Sequence, residues 1–273
     1  MPWLIALDID GTTIHFDGHL SDRVRAAIRA VADAGHHVVL ATGRSTSATL
    51  PIAAELGLTH GPAVCANGAI TILLDPGVEG DFTLLQATTF DPAPVLGRLR
   101  GTWPDALVAV EVPGIGHLVS ARFPDGELMA DQIEVEWDEL GAHPATRVTF
   151  RSPSGTAEDF VALAERIGLH GVNYAVGFTA WLDINPDGVS KASALEDIRT
   201  DLGVGAAHTL AVGDQRNDVE MLQWAARGVA MGQAPQEVQD VADEVTATVE
   251  DDGLAVVLEA FLAAEGPGLD STP

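Results

Sequence analysis

Three short runs in the first 75 residues, Trp3-Leu4-Ile5-Ala6-Leu7, Val38-Val39-Leu40-Ala41 and Ala63-Val64-Cys65-Ala66, are apolar without polar alternation. A strand of that kind is covered on both faces, as in an open parallel sheet. Between the runs lie helical patterns. Ser21 is placed to cap a helix whose apolar positions Val24, Ile28 and Val31 recur at helical spacing, with Gly35 to close it. A second helix is predicted over 46–56, ending at Gly57. Strand and helix in alternation imply right-handed crossovers and a parallel sheet. The same grammar returns late in the chain. Residues 190–202 carry Leu195, Ile198 and Leu202 on one helical face, and His208-Thr209-Leu210-Ala211-Val212 is another buried strand. Asn217 with Glu220 three residues later reads as a capping box, and helices are predicted around 235–242 and 253–264, before a frayed tail from Gly266 to Pro273.

The middle of the chain follows a different rule. Residues 107–112, 117–123, 133–137, 146–150 and 180–184 alternate polar and apolar side chains, the pattern of an antiparallel sheet with one face wet and one packed on helices. The helices are predicted over 91–100 and 156–167. The expected fold class is therefore α/β: a Rossmann-like parallel-sheet core of residues 1–80 and 186–273, with an α+β domain of residues 81–185 inserted.

Ligands of open parallel sheets bind at the carboxyl ends of the strands. Here those ends read Asp8-Ile9-Asp10-Gly11-Thr12-Thr13, Thr42-Gly43-Arg44, Asn67-Gly68, and Gly213-Asp214-Gln215-Arg216-Asn217-Asp218. One edge would then gather Asp8, Asp10, Asp214 and Asp218, which is costly unless a cation neutralises them. A hard divalent ion held by oxygens is implied, and Mg2+ suits a few carboxylates plus a substrate phosphate. An EF-hand loop does not fit, because its sixth and twelfth positions from Asp8 are Thr13 and His19 instead of Gly and Glu.

Composition removes other partners. With 14 Lys+Arg against 40 Asp+Glu the formal charge is −26, which repels nucleic acid and anionic membranes, so no nucleic acid and no membrane are expected. Cys65 is the lone cysteine and excludes an intramolecular disulfide. No basic region precedes the apolar residues 2–7 and no apolar run is long enough to span a bilayer, so a cytoplasmic protein is expected. Thirteen arginines accompany a single lysine, Lys191, next to Ser190 at a predicted helix start.

The series Asp8-x-Asp10-Gly11-Thr12, Ala41-Thr42-Gly43-Arg44, Gly188-Val189-Ser190-Lys191 and Gly213-Asp214-x-x-Asn217-Asp218-x-x-Met221-Leu222 resembles the ordered motifs of the haloacid dehalogenase superfamily. The long insert between the second and third motifs, and the stretches 228–232, 242–246 and 252–253, resemble its Cof-type sugar-phosphatase branch. Thr13, Gln215 and Gln233 depart from that branch, where Leu, Asn and Asn are common. The resemblance implies a Mg2+-dependent phosphatase of small phosphorylated metabolites such as sugar phosphates, with the insert as a cap. Asp8 would attack phosphorus and form an aspartyl-phosphate, and Asp10 would serve as acid and then base. Asp8, the carbonyl of Asp10 and Asp214 would bind the metal, with Asp218 behind them or reaching it through water. Thr42, by hydroxyl and amide, would bind phosphate with Gly43, Lys191 and Asn217, while Arg44 is either a substrate contact at the core–cap boundary or a surface residue. Asn67 either touches phosphate or shapes a turn. A phosphomutase and a non-catalytic binder of phosphorylated metabolites are the alternatives, and a monomer and a homodimer are both compatible. Trp103, Trp137, Trp181 and Trp224 are expected to pack, with stacking of a cap tryptophan on a substrate left open.

Overall fold

The computed structural model describes residues 1–102, 105–124, 128, 132–152, 156, 159, 172–176 and 181–265. Leu4–Leu7 (β1), fully buried, lies inside a five-stranded parallel sheet. On one side it pairs with His37–Leu40 (β2), and on the other with Thr209–Gly213 (β12), followed by Arg227–Ala230 (β13) and Glu244–Val245 (β14). Leu4 stands opposite both His37 and Thr209, and Leu7 opposite both Leu40 and Val212. The three strands therefore end level, which brings the loops beginning at Asp8, Ala41 and Asp214 to one edge. Successive residues of β1 enter different cores: Ile5 and Leu7 pack with Ile28, Leu56 and Leu258, whereas Leu4 and Ala6 pack with Leu195, Met221 and Leu222. Burial on both faces is what the unbroken apolar runs require.

Helices close the layers where the sequence places them. Asp22–Asp33 starts on Ser21, whose side chain accepts from Arg23 N, and Thr46–Leu56 ends on Gly57 at φ 78°. Gly61–Cys65 (β3) is the expected third strand and lies parallel to the end of β2, through the bridge of Ala41 to Val64 and the Thr42 amide to Val64 O at 2.9 Å. Its other edge pairs antiparallel with Ile70–Leu74 (β4), which pairs in turn with Phe82–Ala87 (β5). The reversal is made by three successive residues at positive φ, Ala66, Asn67 and Gly68. Residues 82–87 thus continue the sheet that begins at β3.

The second sheet has the order Val172–Val176 (β10), Trp181–Pro186 (β11), Arg147–Arg151 (β9), Leu107–Val112 (β6), Gly116–Val119 (β7), Gln132–Glu134 (β8). It is antiparallel except for β7 with β8, which run parallel. One face carries Val108, Val110, Val148, Phe150, Leu182 and Ile184 against the helix Ala93–Leu99. The other face, expected to be wet, carries Glu111, His117, Arg147, Thr149, Asp183 and Asn185, and all six are buried. Its cover is the loop edge of the parallel sheet: Arg147 Nη1 donates to the Gly43 carbonyl and Asn185 Nδ2 to the Ala66 carbonyl. Residues 135–137, predicted to extend β8, instead lead into a 3-10 turn at Trp137–Glu139. Apart from Thr156 and Asp159, the predicted helix 156–167 lies outside the described residues, as do Trp103 and the tail 266–273. Among the described residues no helix is long and apolar enough to cross a membrane.

Candidate active site

Asp8 is carried to the sheet edge by β1, and its amide still pairs with Val212 O at 3.0 Å. The turn that follows is tight. Thr13 and Ile14 amides both donate to Ile9 O, and Thr13 Oγ1 donates to Asp8 O at 2.6 Å. Gly11 makes the turn possible at φ +79°, since a Cβ there would fall on the Asp214 carboxylate and 2.6 Å from the Phe16 ring.

Lys191 is the first residue of the helix Lys191–Asp201, set by a reciprocal cap in which Ser190 and Ser193 satisfy each other's amides. Its Nζ donates to Asp8 Oδ1 and to Asp218 Oδ1, each at 2.6 Å, in full burial. Burial alone would lower its pKa, but Asp218 and Asp8 outweigh that and hold the ammonium above its ordinary value. Asp218 Oδ2 accepts the amides of Asp214 and Gln215, both at 2.9 Å. The capping box at this turn joins Gln215 and Asp218, correcting the expected Asn217–Glu220 box. A Cβ on Gly213 would lie 2.5 Å from Asp218 Cγ, so only glycine lets this carboxylate fold back.

Asp214 Oδ2 accepts from Gln215 Nε2 at 3.0 Å and from Gln233 Nε2 at 3.4 Å, while Oδ1 is buried without a partner. Burial, then the Asp218 charge, pushes its pKa up to about 7. Burial and Asp218 likewise raise Asp8 well above the usual carboxylate range. Asp8, Asp214 and Asp218 each offer a carboxylate oxygen within 4.8 Å of the others. An all-oxygen set with one orphaned anionic atom fits a hard divalent cation. Both Asp218 oxygens already accept hydrogen bonds, so Asp8 and Asp214 are the freer ligands.

The Asp10 side chain stands apart from this cluster. Arg44 grips it with two bonds, Nε to Oδ2 at 2.8 Å and Nη2 to Oδ1 at 2.6 Å. Thr42 is buried, and its hydroxyl accepts from the Arg44 amide at 3.0 Å. Its own amide donates to Val64 O at 2.9 Å, which removes the expected second donor to a phosphoryl group. Asn217 Nδ2 donates to Asn67 Oδ1 at 3.0 Å, and Asn67, at φ 55°, reaches Asn185 Oδ1 at 3.5 Å. A cleft of about 300 Å3 is lined by Asp8, Asp10, Thr42, Gly43, Arg44 and Asn217. Leu128, Arg147, Asp183 and Gln215 also line it without a site role from sequence reasoning, and Trp181 lines it as one of the tryptophans for which stacking on a substrate was left open. Arg147 and Asp183 stand on the polar side of alternating strands, a signal that reads equally as a solvated face, and Gln215 lies in the loop after β12. Trp181 does pack, edge-on to Phe123 at 5.7 Å, and its Nε1 donates to Asp183 Oδ1 at 2.9 Å.

The model of the haloacid dehalogenase-like hydrolases matches residues 5–91 and 132–258. A 5-amino-6-(5-phospho-D-ribitylamino)uracil phosphatase of Bacillus subtilis is 28% identical, over 96% of this chain and 98% of its own length. An HMP-PP phosphatase of Serratia proteamaculans is 30% identical, over 85% of this chain and 84% of its own. A solved phosphatase of the same superfamily from Bacteroides thetaiotaomicron superposes with a TM-score of 0.77 at 27% identity, covering 96% of this chain and 95% of that one.

Proposed function

Because the chain belongs to the haloacid dehalogenase-like hydrolases, we propose that it is a Mg2+-dependent phosphatase of small phosphorylated metabolites, sugar phosphates among them. The reading rests above all on one arrangement: Lys191 lies between Asp8 and Asp218 at 2.6 Å from each, beside the unpartnered Oδ1 of Asp214. That is a site built for a dianion and a cation together. The named activities of the relatives, phosphatases of small phosphorylated compounds, support the substrate class.

Asp8 attacks phosphorus, and the alcohol oxygen leaves as the aspartyl-phosphate forms. Asp10 protonates that oxygen and later takes a proton from the water that cleaves the acyl phosphate. Arg44 fixes the Asp10 carboxyl at the cleft wall and, with the Thr42 hydroxyl, Gly43 and Asn217, lies in reach of phosphoryl oxygens. Lys191 holds Asp8 in place and offers positive charge to the transition state. Asp8, Asp214 and the Asp10 carbonyl would hold Mg2+, with Asp218 behind them, and the ion would supply charge neutralisation for nucleophile and phosphate. The inserted segment, residues 81–185 less β5, which pairs with β4, acts as a cap over a core of residues 1–80 and 186–273, and the buried polar face of its sheet supports that role. The protein works in the cytoplasm, as a monomer or homodimer. Burial, which pushes the Cys65 thiol up to about 11, keeps that residue inert there.

Phosphate release from a panel of metabolite esters, with Mg2+ and with EDTA, tests the reading. EDTA is expected to stop release and added Mg2+ to restore it. Asp8→Asn, checked for fold by circular dichroism, is expected to lose at least about a thousandfold in kcat. Undiminished release by that variant would refute the assignment.

A further inference from the structure

If the site is a phosphatase, its core wall meets the phosphoryl group and its cap wall meets what the phosphate is attached to. Among the described residues, the cap wall consists of Leu128, Arg147, Trp181 and Asp183. Its one cation is outnumbered. Arg147 is buried, with Nε 3.2 Å from Glu111 Oε2 and Nη1 3.4 Å from Asp183 Oδ2. The same Nη1 donates to the Gly43 carbonyl, which ties the guanidinium to the core loop. His117, beyond Glu111 in the same cross-strand row, adds no charge, since burial pulls its pKa down to about 3. Glu111, Arg147 and Asp183 together carry a net negative charge. Arg44, on the core side, is already engaged with both oxygens of Asp10.

Asp183 is also oriented for recognition. Its Oδ1 accepts from Thr149 Oγ1 at 2.6 Å and from Trp181 Nε1 at 2.9 Å, which pins the carboxylate. Among the described residues Oδ2 has only the long contact to Arg147, so an acceptor with spare capacity lines the cleft beside an indole and an aliphatic side chain. We infer that the cap wall selects a neutral or cationic leaving group that donates hydrogen bonds, a polyol or an amino-substituted ring, and rejects one bearing a second phosphate or carboxylate. A second anion would face the Asp183 carboxylate in the cleft, where the one guanidinium of the wall is already shared between Asp183 and Glu111. Hydroxyl or amino donors instead complete the Asp183 acceptor, and Trp181 with Leu128 cover the apolar side of the group.

Glucose 6-phosphate and glucose 1,6-bisphosphate form a matched pair for the test, read both by phosphate release and by calorimetric binding. The monophosphate is expected to lead by at least about tenfold in kcat/KM and in affinity. Asp183→Asn keeps the size of the side chain and removes its charge, and should shrink that preference at least threefold (about 0.65 kcal/mol). Glu111→Gln should shrink it in the same direction, and serves if Asp183→Asn does not fold. A bisphosphate handled as well as the monophosphate overturns the inference, as does a preference unchanged in both variants. Absence of release from every ester, p-nitrophenyl phosphate included, would instead refute the phosphatase reading. The binding ratio would then decide the selectivity by itself.

Discussion

His117 lies in the row His117–Glu111–Arg147 with both ring nitrogens buried and unpartnered, 4.0 Å from Glu111 and among groups that include Arg147 and Asp183. Burial, reinforced by Arg147, holds its folded pKa at about 3. In the unfolded chain it titrates at about 6.5. Between those values the unfolded state binds a proton that the folded state refuses, so stability present above about 6.5 is lost as pH falls toward about 3. At pH 5 the expected loss from this one group is about 2 kcal/mol. His117→Leu should remove it, so the stability difference between pH 7 and pH 5, measured by denaturant titration, narrows by that amount relative to the parent. An unchanged difference would mean that the ring takes up a proton in the folded protein. Nothing in the sequence separated this histidine from the other eight, because the alternation of β7 showed only that its side chain shares a face with polar residues. The Asp8, Lys191, Asp214 and Asp218 constellation was legible for the opposite reason: each follows or caps an element whose ends are marked in the sequence.

At the scale of elements, the contact between the 3-10 turn Ala66–Gly68 and the start of the helix Lys191–Asp201 governs where the lysine stands. A Cβ on Gly68, at φ +102°, would collide with the Ser190 carbonyl oxygen, a backbone atom with nowhere to retreat. Gly68→Ala is therefore expected to destabilise the fold by about 1–3 kcal/mol and to shift the helix start. It should also lower kcat more than tenfold. Gly18→Ala is the control, since Gly18 has φ +87° with open space around it and carries only the conformational strain. Equal kcat in the two variants would separate the turn from catalysis. The helix start at Ser190 was readable, as was the Gly57 stop, because capping is local chemistry. The antiparallel turn from β3 to β4 was not. Ile70–Leu74 is one more short apolar run, broken only by Thr71, and periodicity cannot say which neighbour a strand will pair with. The capping box was misplaced by two residues because Gln215-x-x-Asp218 and Asn217-x-x-Glu220 present similar chemistry in one turn.

Over the whole molecule, alternation of elements was enough to expect a parallel core and a second, antiparallel layer, while which face of that layer met the core depended on long-range packing. The formal charge of −26 also acts at this scale. Lys191 is buried beside Asp8 and Asp218 and Arg147 is buried on the antiparallel sheet, and neither offsets the exterior. Surface pairs such as Arg23–Glu259 at 2.7 Å and Arg227–Glu244 at 2.8 Å engage further arginines, and exposed pairs contribute about 0–1 kcal/mol each. With 14 Lys+Arg for 40 Asp+Glu, the cations cannot pair most of the carboxylates one to one. Raising NaCl from 0.1 M to 1 M shortens the screening length from about 10 Å to about 3 Å. Relief of this repulsion should exceed the loss of the few surface pairs, and at about 2–4 °C per kcal/mol the melting temperature should rise by about 5 °C or more. KCl should match NaCl, since screening depends on ionic strength and not on which monovalent cation supplies it. A flat or falling melting temperature would show that the acidic side chains stand far enough apart to be indifferent to one another. A rise with only one of the two salts would point to specific cation binding in place of screening.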